Sequence, residues 1–213
     1  MNSVIFGDKD SYKDFGITLQ PKNRPKPSPK YDYVSIPGKN GDLDLTEAFG
    51  DVFYEDLTYP LTFNVIDAIN TWDEKLRTIT NYLHGKKMKV TFSDDPNYYY
   101  YGRVTVNELS SNRNLGILSL NCRFEPYKYK QNVTTKEYSV SAGNSYTFTN
   151  GRMKVVPTLT LDSAMTLTFN GGSISLGAGT HKVLDIEFTE GENVITVTSG
   201  TGTLKAVYQE GDL

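Results

Sequence analysis

Residues 57–65 read LTYPLTFNV, and Leu57, Tyr59, Leu61, Phe63 and Val65 alternate with Thr58, Pro60, Thr62 and Asn64 without a miss. Period two over nine residues is a β-strand with one face buried. Pro60 removes one ladder donor, which places that point of the strand at an edge or a bulge. The same period recurs downstream in KKMKVTF (86–92), with Met88, Val90 and Phe92 on one face. It recurs again in GILSLNCRF (116–124), with Leu118, Leu120, Cys122 and Phe124 aligned. Cys122 therefore reads as a small core residue rather than a nucleophile. A mainly β architecture follows.

One segment departs from period two. Trp72, Leu76, Ile79 and Leu83 are spaced four, three and four apart, one stripe of an α-helix. Asn70 is the expected N-cap, Asp73 and Glu74 suit the first turn, and Gly85 suits the position just past the end. Upstream, VIFGDKDSYKDFGITLQ (4–20) reads as short strands around a polar turn. Residues 21–30 then carry Pro21, Pro25, Pro27 and Pro29 interleaved with Lys22, Arg24, Lys26 and Lys30. Proline fixes φ and removes a donor, so this run is expected to be an extended arm. It is either a plain exposed loop or an arm that reaches over a neighbouring subunit. Between 31 and 56, Asn40-Gly41 is the dipeptide of a type I′ hairpin.

The texture changes at Glu125-Pro126. Up to Lys130 the chain holds 17 basic and 17 acidic residues; beyond it there are 5 basic and 8 acidic, so the net charge of −3 resides in the second part. That part is rich in Thr, Ser and Gly. Short alternating runs such as MTLTF, SISL and VITVT are broken by glycine turns, the pattern of a small antiparallel sandwich. Two domains are expected: 1–130, β-sandwich-like with one α-helix, and 131–213, a second β-sandwich.

Composition limits function. A single cysteine excludes an intrachain disulfide or thiolate cluster, and two histidines are few for a zinc site. No apolar run approaches the roughly 18–20 residues of a membrane span. The first ten residues lack a basic region followed by an apolar one, so no secretory signal is expected. Gly177-Ala178-Gly179 and Gly200-Thr201-Gly202 lead into strands rather than helix N-termini, so they read as hairpin turns and not phosphate loops. The pairs Asp8/Asp10, Asp42/Asp44 and Asp94/Asp95 read as turn and edge charges, without the glycine and distal glutamate of a calcium loop. Ser175, His181 and Asp185 lack a nucleophile elbow. No catalytic, cofactor or metal residues are expected, and the chain reads as a non-enzyme.

Tyr98, Tyr99, Tyr100 and Tyr101 are consecutive, which puts two rings on each face of a strand. Either this is a core strand with two rings on its wet face, or the wet face belongs to a subunit interface, where tyrosine is enriched. The candidate interface residues are Pro25, Pro27, Pro29 and Tyr98–Tyr101.

Four segments in order carry a resemblance: YVSIPGKNGDLDLTEAFG (33–50), ITNYLHGKKMKV (79–90), DDPNYYYYGRVTVNE (94–108) and CRFEPYKYK (122–130). Together they resemble the distal tail protein (Dit) family of siphophages and prophages, over about residues 4–130. Lys39 and Asn40 stand where that family more commonly has Arg and Asp. Residues 135–213 have only a general likeness to the family's galectin-like or carbohydrate-module-like sandwich. The resemblance implies a virion structural protein made in the bacterial host cytoplasm and placed at the tail tip. Six copies would form a ring joining the tail tube protein to the tail-associated hub protein, with DNA passing through and receptor-binding proteins attached outside. The alternative is a binding module whose second sandwich recognises host cell-wall saccharide or a receptor-binding protein.

Overall fold

In the computed structural model of the chain, residues 2–21, 24–65, 71–112 and 115–213 are described. Contacts divide it into two units, one over residues 1–128 with Leu213, the other over 129–212.

The first unit opens with β1 (Val4–Phe6), β2 (Lys9–Asp10) and β3 (Ile17–Leu19), followed by a small hairpin, β4 (Tyr33–Val34) and β5 (Leu43–Asp44). Then come β6 (Leu57–Val65), α1 (Trp72–Leu83), β7 (Lys87–Phe92), β8 (Tyr98–Asn112) and β9 (Leu115–Phe124). Seven strands of a nine-stranded sheet run in the order β2-β1-β7-β8-β9-β6-β3, antiparallel at each pairing. A bond from the Leu19 N–H to the Asn2 carbonyl (3.2 Å) ties one end of this path back to the other. The sheet thus folds back around one core containing Phe6, Tyr59, Phe63, Leu120, Cys122 and Phe124. The alternation in β6 is realised in full, with all five odd-numbered residues buried. Pro60 pairs with Asn121 of β9, and among the described residues β3 pairs with β6 only as far as Phe63, so no described strand pairs with β6 on that side at the proline.

Helix α1 buries Trp72, Ile79 and Leu83, with Leu76 packed on the same core. Thr71 takes the N-cap position, and Asn70 lies outside the described residues. His84 is the C-cap and Gly85 follows with φ 75°, the left-handed position that glycine occupies without strain. The His84 ring has a further role. Its Nδ1 accepts the Val106 N–H (3.2 Å) beside a bulge in β8, where the register with β9 slips between Val106 and Glu108. The slip leaves Glu108 exposed and brings Leu109 against the core.

A short β10 (Lys128–Lys130) runs across the joint. The second unit continues with β11 (Thr134–Ser141), β12 (Ser145–Asn150), β13 (Thr158–Leu161), β14 (Met165–Phe169) and β15 (Gly172–Leu176). It ends with β16 (Gly179–Lys182), β17 (Gly191–Ser199), β18 (Thr201–Tyr208) and β19 (Gly211–Asp212). Two four-stranded sheets, β11-β18-β13-β16 and β12-β17-β14-β15, enclose a core that includes Phe148, Leu159, Phe169, Phe188 and Val197. This is the second antiparallel sandwich.

Two turn expectations are corrected. Gly177–Gly179 and Gly200–Gly202 are not hairpin turns: β15 and β16 belong to different sheets, as do β17 and β18. Each glycine pair carries the chain from one layer to the other. Asn40-Gly41 is not a type I′ turn either. That turn needs positive φ at both central residues, and of the two only Gly41 has it. The two-residue Asn-Gly turn occurs at Asn170 (φ 47°) and Gly171 (φ 82°), joining Phe169 to Gly172 between β14 and β15.

Candidate assembly surface

The Pro-rich run is the foot of a longer excursion. The Glu55 N–H donates to the Ser28 carbonyl (2.9 Å), Pro29 bridges to Tyr54, and the Lys30 N–H donates to the Phe53 carbonyl (2.8 Å). Further out, the Leu45 N–H donates to the Asp32 carbonyl (2.7 Å), and Tyr33 and Val34 pair with Asp44 and Leu43. The result is a narrow ribbon whose β4–β5 part has no third strand among the described residues. A lone two-stranded hairpin is marginal in water, and this one carries exposed apolar side chains. Phe49 is 86% exposed, Tyr31 63% and Phe53 52%, joined by Tyr33, Val34, Ile36 and Leu43. The Tyr31 and Tyr33 rings stack on each other, centroids 5.8 Å apart. A cluster of exposed apolar groups of this kind marks an interaction surface. The ribbon is also acidic: Asp32, Asp42, Asp44, Glu47 and Asp51 stand against Lys39 alone between residues 31 and 53.

The predicted interface prolines sit differently from this ribbon. Pro27 is buried against its own chain, Pro25 and Pro29 are half-buried. Arg24 pairs with Asp94 and, at 3.8 Å, with Asp95, anchoring the run to the β7–β8 turn. The exposed apolar side chains lie in the hairpin beyond the prolines. Sequence reasoning found the hairpin and missed its exposure, because a strand pair with alternating Tyr, Val, Leu and Asp reads the same whether or not a third strand covers it.

The four tyrosines divide as period two requires. Tyr100 enters the core, stacked on Phe124 (5.2 Å) and edge-on to Tyr59 (6.0 Å) and Phe92 (5.8 Å). Tyr98, on the same side, lies under the Lys128 ammonium at 4.6 Å. On the outer face, Lys89 sits 4.3 Å above the Tyr99 ring and Lys87 4.7 Å above Tyr101. Burial removes water from phenolates more than from phenols, so Tyr99 and Tyr100 are held above the usual tyrosine range. The outer face continues across the sheet in register. Lys87 is opposite Arg103, and Arg103 is opposite Arg123, a row of three exposed cations on three neighbouring strands. Like charges directly opposite one another disfavour a sheet. The ends are partly neutralised, Lys87 by Glu125 (2.7 Å) and Arg123 by Asp56 (2.8 Å), while Arg103 donates to the Gly85 carbonyl.

The remaining candidates are dispersed. Ser175 pairs with Thr166 (3.0 Å) and His181 Nε2 contacts the Gly177 carbonyl (2.9 Å), on strands of opposite sheets. Asp8 accepts from the Tyr82 hydroxyl, which lowers its pKa, and Asp44 accepts from Thr46, with the same effect. No group of three or more His, Cys, Asp or Glu among the described residues is placed to hold a metal. No helix among them is long and apolar enough to cross a membrane. In the second unit Phe148, Phe169, Phe188 and Tyr208 are buried, and Tyr138 and Tyr146 pack half-buried against them.

No protein-family model and no curated protein matches the chain. A solved structure does: the SPP1 Dit (gp 19.1) protein, described as a paradigm of hub adsorption apparatus in phages that infect Gram-positive bacteria. The TM-score is 0.71 at 14% identity, over 98% of this chain and 99% of that one. The chain therefore has the Dit fold from end to end, with both units included.

Proposed function

We propose that this chain is a structural subunit of a phage tail tip, six copies of which close into a ring between the tail tube protein and the tail-associated hub. DNA passes through its channel in transit only, and the second unit is free to carry a receptor-binding protein. The observation that carries the reading is the acidic, apolar hairpin of residues 31–53 on a Dit-like body, an element that gains its burial from a neighbour. A closed ring needs heterologous contacts, a projecting element on one copy and a different face on the next. Pro25, Pro27 and Pro29 act at the foot of that element by holding its direction, and Tyr98–Tyr101 act in the sheet that meets the neighbour. The two domains divide the labour: residues 1–130 build the ring, and residues 131–213 form a separate sandwich available to other tail components. Catalysis plays no part.

The test is particle mass and symmetry, by light scattering and negative-stain averaging, with the chain alone and with the neighbouring tail proteins. A mass near six times 23.9 kDa with six-fold particles is expected. A chain that is monomeric in both conditions overturns the proposal.

A further inference from the structure

We infer that the hairpin of one copy docks on the outer face of β7, β8 and β9 of the next, its carboxylates against the Lys89, Arg103 and Arg123 side chains. This rests on the ring reading above and specifies which surfaces make the contact.

Both surfaces lie on the same chain and both are incomplete. The hairpin presents five carboxylates against one lysine, with Tyr31, Leu43, Phe49 and Phe53 exposed among them. The sheet face presents Lys87, Lys89, Arg103 and Arg123, all exposed, around a buried Tyr99 ring and a half-buried Tyr101 ring. Glu125 and Asp56 are already paired with Lys87 and Arg123, and Glu108 lies further along the same face of β8, opposite Ser119, so the row keeps a basic excess. A cross-strand row of cations is costly by itself and becomes favourable when an acidic ribbon lies along it. The half-buried Tyr101 ring and the alkyl stems of Lys87 and Lys89 give the apolar side chains of the ribbon something to pack on. The two sites are on different elements, so the contact is heterologous and copies can follow one another around a closed ring. A free anion such as nucleic acid would satisfy the cations and leave the exposed Phe49 and Phe53 unburied, whereas a second copy answers both needs.

Charge reversal in two variants tests this. Asp42→Lys with Glu47→Lys reverses the hairpin; Lys89→Glu with Arg103→Glu reverses the face. Melting temperature and circular dichroism confirm that each variant folds. Each alone is expected to assemble at least ten-fold more weakly than the parent chain. An equimolar mixture is expected to recover the ring, because reversed hairpin then meets reversed face and parent hairpin meets parent face, with the two variants alternating. A parent chain that forms no ring, alone or with the tail proteins, overturns the ring reading and this contact with it. A parent ring that persists in both folded variants overturns the contact alone. So does loss of assembly in each variant with no recovery on mixing. A face variant that keeps its ring but loses retention of duplex DNA assigns the cations to phosphate contact instead.

Discussion

Tyr100 stacks on Phe124 with ring centroids 5.2 Å apart and planes 26° from parallel, two residues along β8 from the Gly102–Phe124 pair. The stack and the glycine are one device. A Cβ on Gly102 would lie 2.6 Å from the Phe124 Cα, hard against the neighbouring backbone, so the strands approach this closely only because the side chain is absent.

Gly102→Ala is therefore expected to destabilise the first unit by about 2–3 kcal/mol, the cost of overpacking where backbone must move. Urea denaturation monitored by tyrosine and tryptophan fluorescence reads it. An unchanged midpoint would show that β8 and β9 can separate without loss.

Alkaline stability depends on two buried phenols. Burial raises Tyr59 in the first unit and Tyr208 in the second to about 12 each, above the ordinary value near 10. A folded-state pKa above the unfolded one means that the contribution is fully present below about pH 10 and fades as pH rises toward about 12. Both units are expected to lose stability in that window. Tyr59→Phe and Tyr208→Phe should each flatten the pH dependence of the unit they occupy, as followed by circular dichroism with phenolate absorbance.

Asp10 organises the N-terminal hook. Its Oδ1 accepts the N–H groups of Tyr12 (2.8 Å) and Lys13 (3.0 Å), and its Oδ2 accepts the Ser3 hydroxyl (2.9 Å). Burial alone would raise its pKa, but the Lys13 and Tyr12 N–H groups and the Ser3 hydroxyl outweigh it, and the net shift is downward. Its contribution is present above the ordinary carboxylate range and is lost as pH falls through the lowered value. Asp10→Ala is expected to cost about 1–2 kcal/mol, with faster amide exchange at Tyr12 and Lys13. Unchanged exchange there would remove Asp10 from this role.

Asn150 closes the second sandwich from inside. Its Nδ2 lies 2.8 Å from the Met153 carbonyl, 3.2 Å from that of Phe188 and 3.4 Å from that of Thr189, and the residue is buried. Asn150→Asp would set a carboxylate against those three carbonyls. The expected loss at pH 7 is roughly 3 kcal/mol, smaller near pH 4, where the acid keeps its proton and can donate. Denaturation curves at the two pH values check this, and equal losses would contradict it.

Much of the architecture follows from local pattern. The period-two runs of β6, β7 and β9, the α1 stripe and the glycine after it are each set by which side chains face water, and that is a property of the residues themselves. The Pro60 edge was legible for the same reason, since a missing N–H cannot be hidden in a ladder. The bulge at Val106–Glu108 was not legible. Nothing between Val104 and Leu109 announces a slipped register; it coincides with a contact from His84, 22 residues away in sequence, whose ring accepts the Val106 N–H.

The sequence by itself determined that the chain is mainly β with one helix, that its texture changes near residue 126, and that Cys122 lies in a core. These depend on hydrophobic period and on backbone chemistry, which act over a few residues. Only the tertiary structure decided that the glycine pairs at 177–179 and 200–202 cross between sheets, and that Pro27 is buried while the hairpin beyond it is exposed. It alone aligned Lys87, Arg103 and Arg123 in one row. Strand pairing is chosen by contacts between residues distant in the chain, and whether a surface is covered depends on what the rest of the fold leaves over it.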